Sequence, residues 1–357
     1  MMNYKNILIT GGAGFVGSNL AVKLKTKYPK TAVISLDNLH RRGSELNVPR
    51  LKHAGVEFRL GDVRHGKDFE KMTETDLIID CAAEPSVLAG LNSSPEYVLN
   101  TNLVGTVNCL ELARKNKADF IFLSTSRIYP IDDINKLSFK ETPNRFILNK
   151  RQKMPGASER GIAENFPLGK TRSLYGATKL ASEFLLQEYI KNYDIKGVIN
   201  RFGVITGPWQ MGKVDQGVVV LWLARHIFKK PLSYIGYGGT GKQARDFLHI
   251  DDAFELIDIQ IQNLNKFNGE IYNVGGGVKN SFSLCELTEE CQKITGNQIP
   301  IESVTKERPD DVRIYLSDCG KIKAVTNWKP KKNLHATLSE IAEWINKNKN
   351  QLSSILN

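Results

Sequence analysis

Residues 6–10 read Asn-Ile-Leu-Ile-Thr and pass directly into Gly-Gly-Ala-Gly-Phe-Val-Gly, which opens a helix-like stretch, Phe15–Lys27. A strand, a glycine turn and a helix in that order commit the N-terminal region to a layered α/β arrangement. Gly11 allows the tight turn, Gly14 lets a pyrophosphate reach the backbone, and Gly17 lets the helix pack closely on the strand. The helix N-terminus adds free N–H groups and a positive dipole end. Further strand-like runs follow at Ala32–Asp37, Glu57–Asp62, Leu77–Ala82 and Phe120–Thr125, with a helix at Thr101–Lys115. Near-continuous apolar strands alternating with helices predict an α/β fold with a doubly wound parallel sheet of Rossmann type. Ligands in such sheets lie at the carboxyl ends of the strands, where Gly11, Asp37, Asp62, Ala83 and Thr125 fall.

The pattern is lost over 132–172, a polar stretch with Pro143, Pro155 and Pro167 that reads as a long loop or insertion. A helix is expected over Tyr175–Asn192 and strands over Gly197–Val204 and Glu270–Val274. Further helices are expected at Asp252–Gln262, Leu284–Thr295 and Leu338–Lys347. We divide the chain into a dinucleotide-binding domain, 1–195, and a smaller mixed α/β substrate lobe, 196–357, that closes over the sheet. The strand and helix near 240–263 return to the first domain. The tail 346–357 reads as frayed.

Composition narrows the classes. The 357 residues suffice for two lobes. No apolar run approaches the roughly 20 residues of a membrane span, so no membrane partner is expected. The N-terminus lacks the apolar core of a signal peptide, and five scattered cysteines without a Cys-x-x-Cys pair fit a reducing cytoplasm. Neither the cysteines nor the six histidines form a ligand cluster, so no metal is expected. The net charge of +11 has two readings, nucleic-acid binding or a lysine-rich surface. The lysines are spread out with no interleaved aromatics, which favours the surface and no nucleic-acid partner.

Asp37 ends the second strand about 20 residues beyond the glycines. A carboxylate there accepts hydrogen bonds from the adenosine ribose and repels a 2′-phosphate, so it predicts NAD rather than NADP. Arg41 and Arg42 soften that preference, and Asp-Asn is also ordinary turn chemistry. Asp62 and Val63 end the third strand, where adenine is recognised. Tyr175 and Lys179 stand at i and i+4 of a helix and share a face. A neighbouring ammonium and a positive nicotinamide ring favour the phenolate, which equips Tyr175 as a base. Thr125, on the fifth strand, is placed to hydrogen-bond the reacting oxygen. Tyr-x-x-x-Lys is common on amphipathic helices; its occurrence with the glycine loop and Thr125 in this order is harder to obtain by chance.

With these elements in place the chain resembles the extended short-chain dehydrogenases/reductases, the nucleotide-sugar epimerase and dehydratase group, over nearly its whole length. The resemblance rests on the glycine loop, "DN" at 37–38, "GDVR" at 61–64, "CAAEPSV" at 81–87, "NLVGTVNCLE" at 102–111, "STSRIY" at 124–129, "SLYGATK" at 173–179, "GTGKQARDFLHIDD" at 239–252 and "RPDD" at 308–311. It implies catalytic Thr125, Tyr175 and Lys179, and an NAD site that adds Phe15, Val16, Asn38, Ala82, Ala83 and Asn102. It also implies Ser126, Gln216, Arg245 and Arg308 at a nucleotide-sugar substrate, the arginines on its diphosphate. Helices near 102–115 and 175–192 would form a homodimer interface.

Departures from the family pattern narrow the reaction. Dehydratases of the group carry Asp-Glu after the catalytic Thr, and decarboxylases a Glu two residues beyond it; here Ser126 and Arg127 follow. Without an added acid, oxidation and re-reduction of one carbon, an epimerisation, is the expected reaction. Arg127 and the stretches 214–228 and 241–252 resemble the 2-epimerases of CDP-linked sugars. The competing readings are a 4-epimerase or reductase of a UDP- or GDP-sugar, and a non-catalytic NAD-sensing or RNA-binding protein. Asp80 replaces a histidine usual in the family, and Val204 replaces an Asn; the sequence supplies no role for Asp80.

Overall fold

The computed structural model describes residues 3–70, 72–213 and 216–356. Val214 and Asp215, the start of the 214–228 stretch, lie outside the described residues. The chain divides into two compact units. The first takes in the chain as far as Ile128, Leu174–Arg201 and Phe254–Ile271; the second takes in Tyr129–Ser173, Phe202–Ala253 and the chain from Tyr272 on. The segment 129–173, assigned by sequence to the first domain, thus packs with the second unit. No helix among the described residues is long and apolar enough to cross a membrane.

The central sheet has seven strands: β1 (Asn6–Thr10), β2 (Ala32–Asp37), β3 (Glu57–Leu60), β4 (Leu77–Asp80), β5 (Asp119–Thr125), β6 (Gly197–Phe202) and β7 (Ile271–Val274). Their order is β7-β6-β5-β4-β1-β2-β3, a parallel Rossmann-like sheet that meets the expected fold class. All four residues of β4 are buried, as expected for a parallel strand covered on both faces. Three helices matter for the site: α1 (Phe15–Lys27), α2 (Gly105–Asn116) and α3 (Leu174–Asn192). Leu8, Ile78, Phe120 and Phe122 pack with Cys109, Leu110 and Ala113 of α2 and Leu186 of α3. The predicted helix from Thr101 begins instead as a π-helical turn, Asn100–Val104, of the kind that recurs at functional sites.

Two expectations for the second unit are corrected. The stretch 132–172 is folded. Phe139–Glu141 pairs antiparallel with Phe146–Leu148, and Ala157–Ser158 with Gly161–Ile162. Its anchors are remote in sequence. The Arg313 guanidinium lies 4.4 Å from the Phe139 ring and 5.2 Å from that of Tyr237, Arg145 pairs with Glu286, and Asn273 Nδ2 donates to the Ile162 carbonyl at 2.8 Å. Gly161 is required: φ is +116°, and a Cβ there would sit 2.1 Å from the Leu316 carbonyl. The tail forms a helix, Lys349–Leu356, because Leu352 and Leu356 are buried.

Asp246, fully buried in this unit, has its carboxyl pushed up to about 6 by burial, although Gly277 N–H donates to it. A raised carboxyl binds its proton more tightly folded than unfolded, so stability falls as pH rises from about 4 to 6 and levels off above. The drop is on the order of 3 kcal/mol. Asp246→Asn is expected to remove that slope in unfolding curves taken between pH 4.5 and 7.

Candidate active site

Helix α1 starts at Phe15 with Gly14 as its extended cap, and no side chain caps its first turn. The N–H groups there have no partner within the helix. Gly11 takes φ +60°, where a Cβ would meet Cys81 O and the Ala82 Cα at 2.9 Å; a Cβ on Gly17 would lie 2.3 Å from Gly11 O. A Cβ on Gly14 would meet little but Gly11 O, at 3.0 Å. The tight positions close the turn, and the open one leaves the approach that a pyrophosphate needs.

Two carboxylates, Asp37 and Asp62, stand at the carboxyl ends of β2 and β3. Asp37 accepts from Ala13 N–H at 3.0 Å and Leu39 N–H at 2.8 Å. Burial pushes its carboxyl up while these N–H groups pull it back. Asp62 accepts from Asn38 Nδ2 at 2.9 Å and from Arg64 Nη2 at 2.6 Å. Burial acts to raise its carboxyl, but those donors hold it far below the usual carboxylate range. Arg64 also lies over the Tyr97 ring at 4.8 Å, a residue that carries no sequence signal. Val63 is fixed by Asn108 Nδ2 donating to its carbonyl at 2.8 Å. Ala82 follows β4 and receives a turn from β1, its N–H donating to Thr10 Oγ1 at 3.2 Å. Ala83 stands next, followed by Glu84.

The three candidate catalytic residues belong to the first unit. Thr125 ends β5 and Tyr175 opens α3, and their side chains are hydrogen-bonded. Thr125 Oγ1 also accepts from Arg127 N–H at 3.2 Å, across the tight turn Ser126–Ile128. Lys179, one turn further along α3, is only 1% exposed. Its ammonium lies 3.9 Å from the centroid of the Phe122 ring. Asn102 supports the assembly: Oδ1 accepts from Glu84 N–H at 2.7 Å, and Nδ2 donates to Glu84 O at 3.1 Å and Thr178 Oγ1 at 3.2 Å. Its amide therefore ties the loop after β4 to α3.

Burial pushes the Tyr175 hydroxyl above its usual range; the Thr125 hydrogen bond and the Arg127 charge lower it, and Glu84 raises it. The Arg127 charge thus favours the phenolate, a contribution the sequence alone does not assign. Burial in turn lowers the Lys179 ammonium, against Asp80 and Glu183.

The second unit holds the remaining predicted residues. Arg245 Nη2 donates to Asp311 Oδ1 at 2.8 Å and to Val312 O. Its guanidinium is thus engaged by the Arg308-Pro-Asp-Asp segment itself. Arg308 is half-buried. Gln216 closes a turn with Lys213 through backbone bonds of 2.7 and 3.0 Å.

A glycine loop on an uncapped helix, a carboxylate ending β2 and a hydrogen-bonded Thr-Tyr pair with a buried lysine fit a dinucleotide-dependent enzyme. The chain belongs to the NAD dependent epimerase/dehydratase family, which matches residues 7–275. CDP-paratose 2-epimerase of Salmonella typhi is 27% identical, covering 95% of this chain and 98% of that protein. dTDP-glucose 4,6-dehydratase of Haemophilus influenzae is 26% identical, covering 95% and 97%. The structure of UDP-glucuronic acid 4-epimerase from Bacillus cereus, in complex with UDP-glucuronic acid and NAD, superposes with a TM-score of 0.78 at 25% identity, covering 96% and 99%. The protein is therefore an NAD-using enzyme of the nucleotide-sugar epimerase and dehydratase group, which removes the non-catalytic reading.

Proposed function

We propose that the enzyme epimerises a nucleotide-linked sugar, converting CDP-paratose to CDP-tyvelose by transient oxidation at C2. The observation that carries the epimerase reading is the charge beyond Thr125. Where an eliminating enzyme needs an acid, this chain places Arg127, whose charge acts on Tyr175. A cation there favours the phenolate and offers no proton for expelling water. Bound NAD supplies the acceptor, and then the donor, of a hydride. Tyr175 takes the proton of the C2 hydroxyl and later returns it. Thr125 hydrogen-bonds the same oxygen, and Lys179 orients the nicotinamide ribose. The 27% identity to a CDP-paratose 2-epimerase along nearly the whole chain supports the substrate.

The test is incubation of the purified protein with CDP-paratose and no added NAD, following C2 configuration by proton NMR. Conversion to CDP-tyvelose is expected. An unchanged sugar in the presence of retained NAD would discard this substrate, and a panel of UDP- and GDP-sugars would then locate the epimerised carbon.

We further propose that the enzyme works in the cytoplasm as a homodimer through the π-turn–α2 region and α3. Val104 is 41% exposed and Phe184 56% exposed, apolar area that a second copy would cover. Phe184→Glu is expected to shift the mass found by sedimentation from dimer to monomer.

A further inference from the structure

Asp80 ends β4 and is 1% exposed. Its register partners are Thr10 on β1 and Phe122 on β5, so the three side chains leave the same face of the sheet. The Thr10 hydroxyl donates to Oδ1 at 2.6 Å. The Thr106 hydroxyl on α2 lies 3.0 Å from Oδ2 and 2.9 Å from Asn102 O, and shares its proton between them. Two hydroxyls satisfy lone pairs but bring no charge. A buried carboxylate without a cation is costly.

The Lys179 ammonium on α3 lies 3.9 Å from the centroid of the Phe122 ring, the register neighbour of Asp80, and the Asp80 charge acts on it. Three other titratable groups face that ammonium: Cys81 after β4, Cys109 on α2 and Glu183 on α3. Burial pushes both thiols far up, so they stay neutral. Glu183 already has its own cation: Arg201 Nη2 donates to Oε2 at 2.7 Å and Nε to both oxygens at 3.1 Å. Asp80 is therefore the carboxylate left to Lys179.

We propose that Asp80 is the counter-charge that keeps Lys179 an ammonium in the interior, and so a positioning residue for the chemistry at Tyr175. The second half of this inference rests on the role given to Lys179 above. The carboxylate opposes the lowering that burial imposes on the ammonium.

Thermal unfolding of the wild type, Asp80→Asn, Lys179→Met and the double variant tests the pair without any assumption about the reaction. Lys179→Met strands the carboxylate and is expected to lower Tm. Adding Asp80→Asn should restore roughly half of that loss or more, because interacting neighbours are non-additive. Losses that simply add would overturn the pairing. Should Asp80→Asn fail to fold alone, comparing Lys179→Met with the double variant still decides.

The positioning role is read from the pH dependence of kcat with the nucleotide sugar found active. In Asp80→Asn the alkaline limb should move down by about one pH unit or more, a tenfold rate loss above it, with recovery toward lower pH. An unmoved limb overturns the positioning role. A panel without any active sugar would refute the proposed function, while the unfolding comparison would still decide the pair.

Discussion

Tyr175→Phe is expected to lower kcat by about 10²- to 10⁴-fold, the range lost when a positioned acid or base is removed. The purified variant should still carry NAD. The two results separate chemistry from binding. In the proposed mechanism the glycine loop and Asp37 would hold the cofactor, and neither is among the groups acting on the phenol. The phenol, hydrogen-bonded to Thr125 and in the field of Arg127, would move the sugar hydroxyl proton. Turnover at the wild-type rate would remove Tyr175 from the mechanism. Loss of NAD together with turnover would assign it to binding instead.

Glu183→Ala is expected to destabilise the enzyme by about 3–5 kcal/mol, the usual effect of breaking a buried ion pair from one side. Side chains of Glu183 and Arg201 are 1% and 3% exposed, so neither charge is relieved by water. Ser124 also donates to Glu183, so removing the carboxylate would take an acceptor from that hydroxyl and the counter-charge from the guanidinium. A second replacement, Arg201→Met, should recover most of the loss, because neither charge of the pair then remains buried alone. Equilibrium unfolding in urea at pH 7.5 measures both. A loss below about 1 kcal/mol, the level of a surface pair, would show that water reaches the site.

The first part of the fold was legible because its signals are local. Strand, glycine turn and helix over residues 6–27 each follow from a few neighbouring residues, and α1 occupies the predicted bounds. The helix Leu284–Thr295 was likewise placed by sequence. It carries a capping box of Ser283 and Glu286 and ends at Gly296 in the left-handed region. The stretch 132–172 was not legible, because Arg313, Glu286 and Asn273 hold it from more than a hundred residues away. The final helix was missed for a related reason: its polar composition hides that Leu352 and Leu356 are both buried.

At the site the same division holds. The linear order of residues determined the cofactor loop, the acidic residue ending β2 and the pairing of Tyr175 with Lys179, since turn chemistry and helical spacing are short-range properties of the chain. Only the tertiary structure decided what surrounds those groups. Strand register set Asp80 between Thr10 and Phe122, and the packing of α3 on that face brought Lys179 to it. The turn after β5 added the charge of Arg127 to the surroundings of Tyr175. Charges act through space across a dry interior, so their partners are chosen by strand register and helix packing, which no local spacing encodes.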